Sequence, residues 1–212
     1  MKRLTIIAVL LVAALVGLPA EASAQFDLSR ALGAFLGEPE DPNAEPQPTP
    51  YDLLRENAPQ PSKLTGVWLY DAMALEMLAV NPLAEAALKQ MEGYLQAELR
   101  GAGIGPGYFG LTLRRNGVAF LSHEDLVFEG RYIYKVEDAS VRVEATIEGV
   151  SLSIGGYVKM MKGALVLLLD AKDIVAATLK LYPEYAADPT VATAQGMLRS
   201  IEGVYLGLKF RR

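Results

Sequence analysis

The most chemically suggestive stretch of the sequence is Ser-His-Glu-Asp at residues 122–125, which contains the only histidine of the chain, His123. Serine, histidine and a carboxylate can form a hydrolytic triad. Triads are assembled in space, however, and neighbours on an extended segment point to opposite faces. One histidine without cysteine also supplies too few ligands for a typical zinc site. We therefore interpret His123 as a polar residue of a turn.

Two groups of carboxylates could supply oxygen ligands for calcium. Glu124, Asp125 and Glu129 form the first group, and Glu137 and Asp138 form the second. Neither has the acidic spacing around a glycine that a calcium loop requires. A carboxylate pair could also hydrolyse a glycoside, but the sequence singles out no such pair. We interpret both groups as solvated turns, predict no metal or other cofactor, and expect that the protein is not an enzyme.

A glycine-rich stretch, GAGIGPGYFG at residues 101–110, has the composition of a phosphate-binding loop. Dinucleotide-binding loops follow a strand and begin a helix. Here the glycines follow a predicted helix and precede a predicted strand. The stretch is therefore predicted to be a flexible connection.

The composition excludes several classes of function. The 212 residues carry a net charge of −5, and removal of a leader with Lys2, Arg3 and Glu21 makes the remainder one unit more negative. This balance argues against nucleic-acid binding, which needs a basic patch. The chain has no cysteine, which excludes disulfides, thiolate chemistry and a lipid-modified cysteine.

Residues 1–24 have the pattern of a secretory signal peptide. Lys2 and Arg3 precede an apolar run over residues 4–18, and residues 22–24 form a small-x-small cleavage site. The run is too short to span ~30 Å of hydrocarbon comfortably, and no later run is long enough. We therefore expect export to the periplasm or the exterior, without a transmembrane or lipid anchor.

Two segments separate this leader from the main domain. Residues 25–37 are predicted to form a short amphipathic helix, which could dock on its own domain or contact a partner or a membrane surface. The segment lacks the basic face of interfacial helices, which favours docking. Residues 38–62 contain seven of the twelve prolines and are predicted to be a semi-rigid linker, in which YDLLREN could form a turn or two of helix. The main domain then comprises residues 63–212.

This domain shows the alternation of apolar and polar residues that is typical of short antiparallel strands. The first strand contains Gly66, Trp68 and Tyr70 on one face. Four turns are predicted between later strands: Asn116-Gly117, with the composition of a type I′ turn, Glu137-Asp138, Glu148-Gly149 and Lys162-Gly163. The run ALVLLLD at 164–170 is apolar on both faces, so its outer face must be covered, most simply by a helix.

One helix is predicted after the first strand, from Asn81-Pro82 to Arg100-Gly101, and two before the last strand. Asp170 caps the first of these two, with Asp173 at the reciprocal position of a capping box, and Asp188 begins the second. The predicted fold is mostly β with some α, an antiparallel up-and-down barrel of about eight strands. Its first and last strands pair, which removes exposed edges.

The Gly-x-Trp sequence formed by Gly66 and Trp68 resembles the signature of lipocalins. From residue 64 to residue 210 the order of elements, including DAKDIVAATLKLY and GVYLGLKF, is similar to a secreted bacterial lipocalin-like family of unknown function. The resemblance implies that Trp68 closes one end of the barrel and packs against an arginine after the last strand. Arg211 is the first choice for this partner, and Arg212 is the alternative. The resemblance implies no substrate, cofactor or catalytic residue.

Two functions remain open, because a barrel of this size either holds one small ligand or is filled by its own side chains. In the first case the protein binds a small hydrophobic molecule. The candidate lining residues are Tyr70, Tyr132, Tyr134 and Met160, with Tyr108, Tyr157, Met73, Met77 and Met161 as further possibilities. In the second case it is a non-catalytic structural or protein-interaction module with a filled core, whose protein partner the sequence does not identify.

Overall fold

The computed structural model describes residues 48–78, 103–187 and 203–212, together with residues 92, 93, 96, 97, 99–101, 191, 192, 195, 196 and 198. Its centre is a closed antiparallel barrel in which each strand pairs with its neighbours in sequence and the eighth pairs with the first. The strands are β1 (Gly66–Met77), β2 (Gly110–Leu113), β3 (Val118–His123), β4 (Leu126–Lys135), β5 (Ser140–Ile147), β6 (Val150–Met161), β7 (Ala164–Asp170) and β8 (Val204–Arg211). The predicted up-and-down barrel is confirmed.

Three α-helices accompany the strands: α1 (Pro50–Glu56), α2 (Pro61–Leu64) and α3 (Ala171–Leu181), with a 3₁₀ turn at Pro183–Ala187. The described residues within 92–101 and 191–198 are helical as well, where helices were predicted. The predicted starts at residues 81 and 188, the leader and segment 25–37 lie outside the described residues. None of the described helices is long and apolar enough to cross a bilayer.

The end of the predicted linker belongs to the folded domain. Leu54 of α1 is buried, and the Tyr134 hydroxyl donates a hydrogen bond to the carbonyl of Pro59 at 2.8 Å. Pro50 and Pro61 begin α1 and α2. Proline suits the first turn of a helix because the N–H group that it lacks has no partner there in any case. Two of the seven prolines that suggested a linker therefore mark the starts of helices.

Strand β7 is apolar on both faces because both faces are covered. Leu165 and Leu167 belong to the barrel core, while Val166 and Leu168 face outward into a second cluster with Leu54 of α1. The covering helix predicted from ALVLLLD is therefore present, and it comes from the segment that precedes the barrel.

A β-bulge in β1 changes which residues face the core. The pairing with β8 shifts between Tyr70 and Ala72, so that Asp71 is the extra residue. Met73 consequently faces the core and is 5% exposed. Asp71 stays outside, where its carboxylate lies 3.0 Å from Nε of Arg211.

Two of the predicted turns have a positive φ at both central residues, as a type I′ turn requires. The angles are 52° and 79° at Glu148-Gly149, and 48° and 82° at Lys162-Gly163. The type I′ prediction at Asn116-Gly117 is wrong, because only Gly117 has a positive φ, 78°. The Gly117 N–H donates to the Arg114 carbonyl at 3.1 Å, so the connection is a longer turn that ends in a left-handed glycine.

Helix α3 is capped and fastened by two aspartates. Asp170 accepts a hydrogen bond from the backbone N–H of Lys172 at 2.8 Å, as predicted for a cap. The Asp173 carboxylate accepts instead from the backbone N–H of Gly155 on β6, at 2.7 Å. Asp173 therefore joins the helix to the barrel wall.

Candidate functional site

The start of β1 and the end of β8 meet at one end of the barrel, where Trp68 is buried. Its side chain is 1% exposed, and its Nε1 donates a hydrogen bond to the carbonyl of Leu64 at 2.8 Å. The guanidinium of Arg212 lies over the indole, 4.4 Å from the ring centroid. The same group donates to the carbonyls of Lys63 and Thr65 at 3.2 and 2.9 Å. Trp68 and the chain terminus therefore hold this end together.

The arginine partner is Arg212 rather than the first choice, Arg211. Consecutive strand residues point to opposite faces, and Phe210 faces the core, so Arg211 points outward to Asp71. Gly66 adopts a φ of +136°, which residues with a side chain rarely adopt. The glycine of the Gly-x-Trp sequence is therefore required by the backbone at the entry to β1.

A cavity of about 260 Å³ lies inside the barrel, and all eight strands contribute to its lining. The lining is almost entirely apolar and includes Met73, Leu111, Leu121, Phe128, Val143 and Leu167. Leu64 of α2 and the helical residue Leu99 also contribute. Such an environment suits an apolar guest, because it offers few hydrogen-bonding groups.

Three small inward-facing residues explain why this part of the interior is hollow. Ala119 on β3 pairs with Gly130 on β4, which pairs with Ala145 on β5, and all three line the cavity. A Cβ atom at residue 130 would lie 2.7 Å from the carbonyl oxygen of Glu144. The wall cannot therefore be thickened at Gly130 without a backbone shift. This row of three small residues was not identified from the sequence, although each lies at an inward position of one of three consecutive strands.

His123 also lies at the cavity, and its predicted place in a turn is wrong. Strand β3 extends to residue 123, so that His123 faces inward with Ala119 and Leu121, and its side chain is 8% exposed. Its ring stacks on Tyr108 with the centroids 4.0 Å apart. Nδ1 lies 2.6 Å from the carbonyl oxygen of Tyr108. Nε2 is buried and has no hydrogen-bond partner among the residues that the structure describes.

Of the four residues first proposed to line a cavity, Tyr132 does so and the other three do not. Tyr70 is buried and stacks on Phe109, with the ring centroids 4.5 Å apart. Tyr134 and Met160 pack against the core beside the cavity. The β-strand alternation placed all four on the inner face, but alternation does not indicate at which level along the barrel axis the cavity lies.

Some of the further candidate lining residues face the barrel interior, and others face outward. Met73 lines the cavity, Tyr108 contacts it indirectly through His123, and Met77 packs against the core. Tyr157 faces outward, in an edge-to-face cluster with Tyr51 and Tyr205, and Met161 is 49% exposed. Both outward residues occupy odd-numbered positions of β6, opposite in phase to the inward-facing Val158.

The tyrosines of the barrel act as neutral packing and hydrogen-bonding groups. Burial, with a smaller contribution from Asp71, raises the pKa of Tyr70 to about 12. Burial and the charges of Asp138 and Glu137 raise the pKa of Tyr134 to about 12. Burial also raises the pKa of Tyr132, whose hydroxyl donates to the carbonyl of Arg114 at 2.7 Å. None of these hydroxyls is thereby prepared to act as a base near neutral pH.

The carboxylates considered as calcium ligands lie on exposed positions. Hydrogen bonds from Ser140 lower the pKa of Asp138, which caps the turn between β4 and β5. Within the described part of the chain, no three His, Asp or Glu side chains form a group that could hold a metal ion.

A second concavity, of about 780 Å³, lies outside the barrel between α3 and strands β4 to β6. Acidic, basic and hydroxyl side chains are mixed in its lining, among them Arg131, Glu144, Ser153 and Lys180. It is larger than the interior cavity, but it is more open to solvent, and its mixed lining does not favour one class of ligand. The interior is therefore the better candidate site.

Comparison with known families agrees with this architecture. A family model described as "Lipocalin-like domain (DUF4923)" matches residues 52–212. The match begins within α1 and includes the whole barrel. No curated protein and no solved structure matches the chain.

Proposed function

Since the chain belongs to the lipocalin-like family DUF4923, we propose that it binds one small hydrophobic molecule inside its barrel. The observation that carries this proposal is the apolar cavity of about 260 Å³. An apolar protein cavity of ~150 Å³ can hold benzene, with six carbon atoms. By proportion, the cavity suits a guest of about ten carbon atoms.

The binding energy expected for such a guest is modest. Burial contributes ~0.8 kcal/mol per CH₂-sized group, or about 8 kcal/mol for ten such groups. Association costs at least ~4 kcal/mol of translational and rotational freedom. At this lowest cost the remainder of about 4 kcal/mol corresponds to a Kd of about 1 mM, and a larger cost weakens binding further, so the binding assay must detect millimolar affinity.

A protein-interaction module is the second candidate. It is supported by large apolar side chains on the outer face of β1 and β4, where Val67 is 62% exposed and Val127 is 61% exposed. The interior cavity favours the binder, because a module with a purely structural role would gain stability from a filled core.

We also propose that the protein acts after export and without catalysis. The support for export is the signal-peptide pattern of residues 1–24. Sequencing of the N-terminus of protein purified from the producing cells tests the cleavage. A mature chain that begins at Gln25 supports export, and retention of Met1 in the cytoplasmic fraction contradicts it.

Binding can be tested with naphthalene, a ten-carbon hydrocarbon, by NMR chemical-shift titration, which detects partial occupancy at millimolar affinity. Ala145→Phe places a ring in the cavity and is expected to abolish binding. Thr146→Phe is the matched control, because it introduces the same ring at the adjacent exposed position. Wild-type and Thr146→Phe proteins should bind equally. No binding by the wild type, or equal binding by Ala145→Phe, would contradict the proposal.

A further inference from the structure

The cavity contains one polar group that the packing of the barrel does not explain. His123 lines the apolar cavity with more than nine-tenths of its side chain buried, and its Nε2 lacks a hydrogen-bond partner in the described part of the chain. Buried polar atoms without a partner are uncommon because they lose their hydrogen bonds to water. An Nε2 atom without a partner among the described residues is able to accept a hydrogen bond from a guest in the cavity.

The orientation and tautomer of His123 are set by one neighbour. A carbonyl oxygen can only accept, so Nδ1, 2.6 Å from the Tyr108 carbonyl, must carry the hydrogen. The Tyr108 ring also stacks on the imidazole and limits its rotation. In the neutral imidazole the lone pair is then on Nε2, at the tip of the ring. His123 consequently presents a fixed hydrogen-bond acceptor.

The other polar residues of the lining are already used or face elsewhere. The Tyr132 hydroxyl donates to the Arg114 carbonyl at 2.7 Å. The Glu129 side chain belongs to the outer face of β4 and is exposed. Among the described lining residues, His123 is therefore the polar side chain that is available to a guest.

We propose that the guest of this barrel is an apolar molecule with a hydroxyl group, and that this hydroxyl donates a hydrogen bond to Nε2 of His123. The inference rests on the proposed function and names its ligand class: an alcohol or a phenol with an apolar body of about ten carbon atoms. The body occupies the space left by Ala119, Gly130 and Ala145, and the hydroxyl is held at the wall by His123.

Two probes of nearly the same shape test this assignment. 2-Naphthol has the hydroxyl, and 2-methylnaphthalene has a methyl group in its place. The quantity of interest is the ratio of their two dissociation constants, measured by NMR chemical-shift titration for the wild type and for His123 variants. The double comparison cancels the greater hydrophobicity of the methyl compound and isolates the hydrogen bond.

His123→Asn is the principal variant, because its side-chain amide can still donate to the Tyr108 carbonyl but has no atom at the position of Nε2. His123→Phe is the second variant, which keeps a ring against Tyr108. In both, we expect the preference for 2-naphthol over 2-methylnaphthalene to fall about tenfold relative to the wild type, as for the loss of one hydrogen bond. 2-Methylnaphthalene itself should still bind.

The outcomes separate this inference from the function on which it rests. An unchanged ratio in both variants would overturn the role of His123, even if naphthalene binds and Ala145→Phe abolishes that binding. Tighter wild-type binding of 2-naphthoate than of 2-naphthol would overturn the hydroxyl assignment in favour of a carboxylate. Absence of binding by every probe would overturn the proposed function as well.

Discussion

Strands β7 and β4 lie on different sides of the same barrel, and they are packed very differently. Five of the seven residues of β7 are buried, whereas none of the ten residues of β4 is. The outer face of β7 is covered by α1, and its inner face meets the core that includes Trp68. The inner faces of both strands contribute to the cavity lining, but none of the β4 residues in that lining is buried. We call these the filled side (β1, β7 and β8) and the hollow side (β3, β4 and β5).

The difference shows how one barrel can be stable and still contain a cavity. The largest fully buried side chains lie on the filled side, on α2 or on β6: Trp68, Phe210, Leu64, Leu165, Leu168, Leu206 and Val158. The row of small residues lies on the hollow side. We infer that most of the free energy of unfolding comes from the filled side, and that the hollow side contributes less because its small residues leave the cavity unfilled.

The largest expected effect follows from removal of the indole on the filled side. Trp68→Ala should lower the free energy of unfolding by roughly 3–5 kcal/mol, the range for large aromatic residues deleted from a core. Phe128→Ala, on the hollow side, should cost less than half as much because its ring already borders a cavity. Chemical denaturation of both variants measures the difference. Equal losses would contradict the division into two sides.

The same enlargement should have effects of opposite sign on stability at a filled core position and at the cavity. Ala171→Leu adds volume to a fully buried core position and is expected to destabilise by about 1–3 kcal/mol. Ala145→Leu fills part of the cavity and is expected to stabilise by about 0.5–2 kcal/mol. Thermal and chemical unfolding test both. A loss of stability in Ala145→Leu would mean that the hollow side has no room to fill.

Substitutions of Arg212 and Arg211 compare a contact with the buried Trp68 of the filled side with an exposed ion pair. Arg212→Ala removes a cation–π contact and two hydrogen bonds, and we expect a loss of ~1–2 kcal/mol. Arg211→Ala removes only an exposed ion pair with Asp71, so its cost should be at most ~1 kcal/mol. Denaturation with urea measures the two losses. A larger loss for Arg211→Ala would reverse their assignments.

A separate effect is expected in the alkaline pH dependence of stability. The pKa of Tyr70 is raised from its ordinary value of 10.0 to about 12 in the folded protein. Its contribution is therefore complete below pH 10 and is lost as the pH rises from 10 to 12, because the unfolded chain loses its proton first. Tyr70→Phe should flatten this alkaline decline. Tyr132→Phe on the hollow side should flatten it less, and the reverse order would contradict the comparison.

Much of the barrel was predictable because the signals for its strands and turns lie in neighbouring residues. Alternation within a strand assigns inner and outer faces, and Glu148-Gly149 and Lys162-Gly163 have the composition of the tight turns that they form. The two apolar faces of ALVLLLD predicted a covering helix. Gly66 and Trp68, together with the order of elements along the chain, indicated the lipocalin-like family, which the family comparison confirms.

The site was less predictable, since its residues come together only through pairing between strands. The bulge at Asp71 turns Met73 inward without any local signal, and the fold of the chain terminus places Arg212 over Trp68. The polar sequence around His123 suggested a turn, although the strand continues to that residue and buries it.

Local patterns in the sequence predicted an antiparallel up-and-down barrel, because strand periodicity and turn composition are properties of neighbouring residues, and the family resemblance added a tryptophan at one end. Where the barrel is hollow depends instead on how its strands pair in three dimensions. The register of three strands aligns Ala119, Gly130 and Ala145 into one wall, and the same pairing brings His123 and the Tyr108 loop to its edge. Register joins residues that are distant in the chain, and no local pattern specifies it.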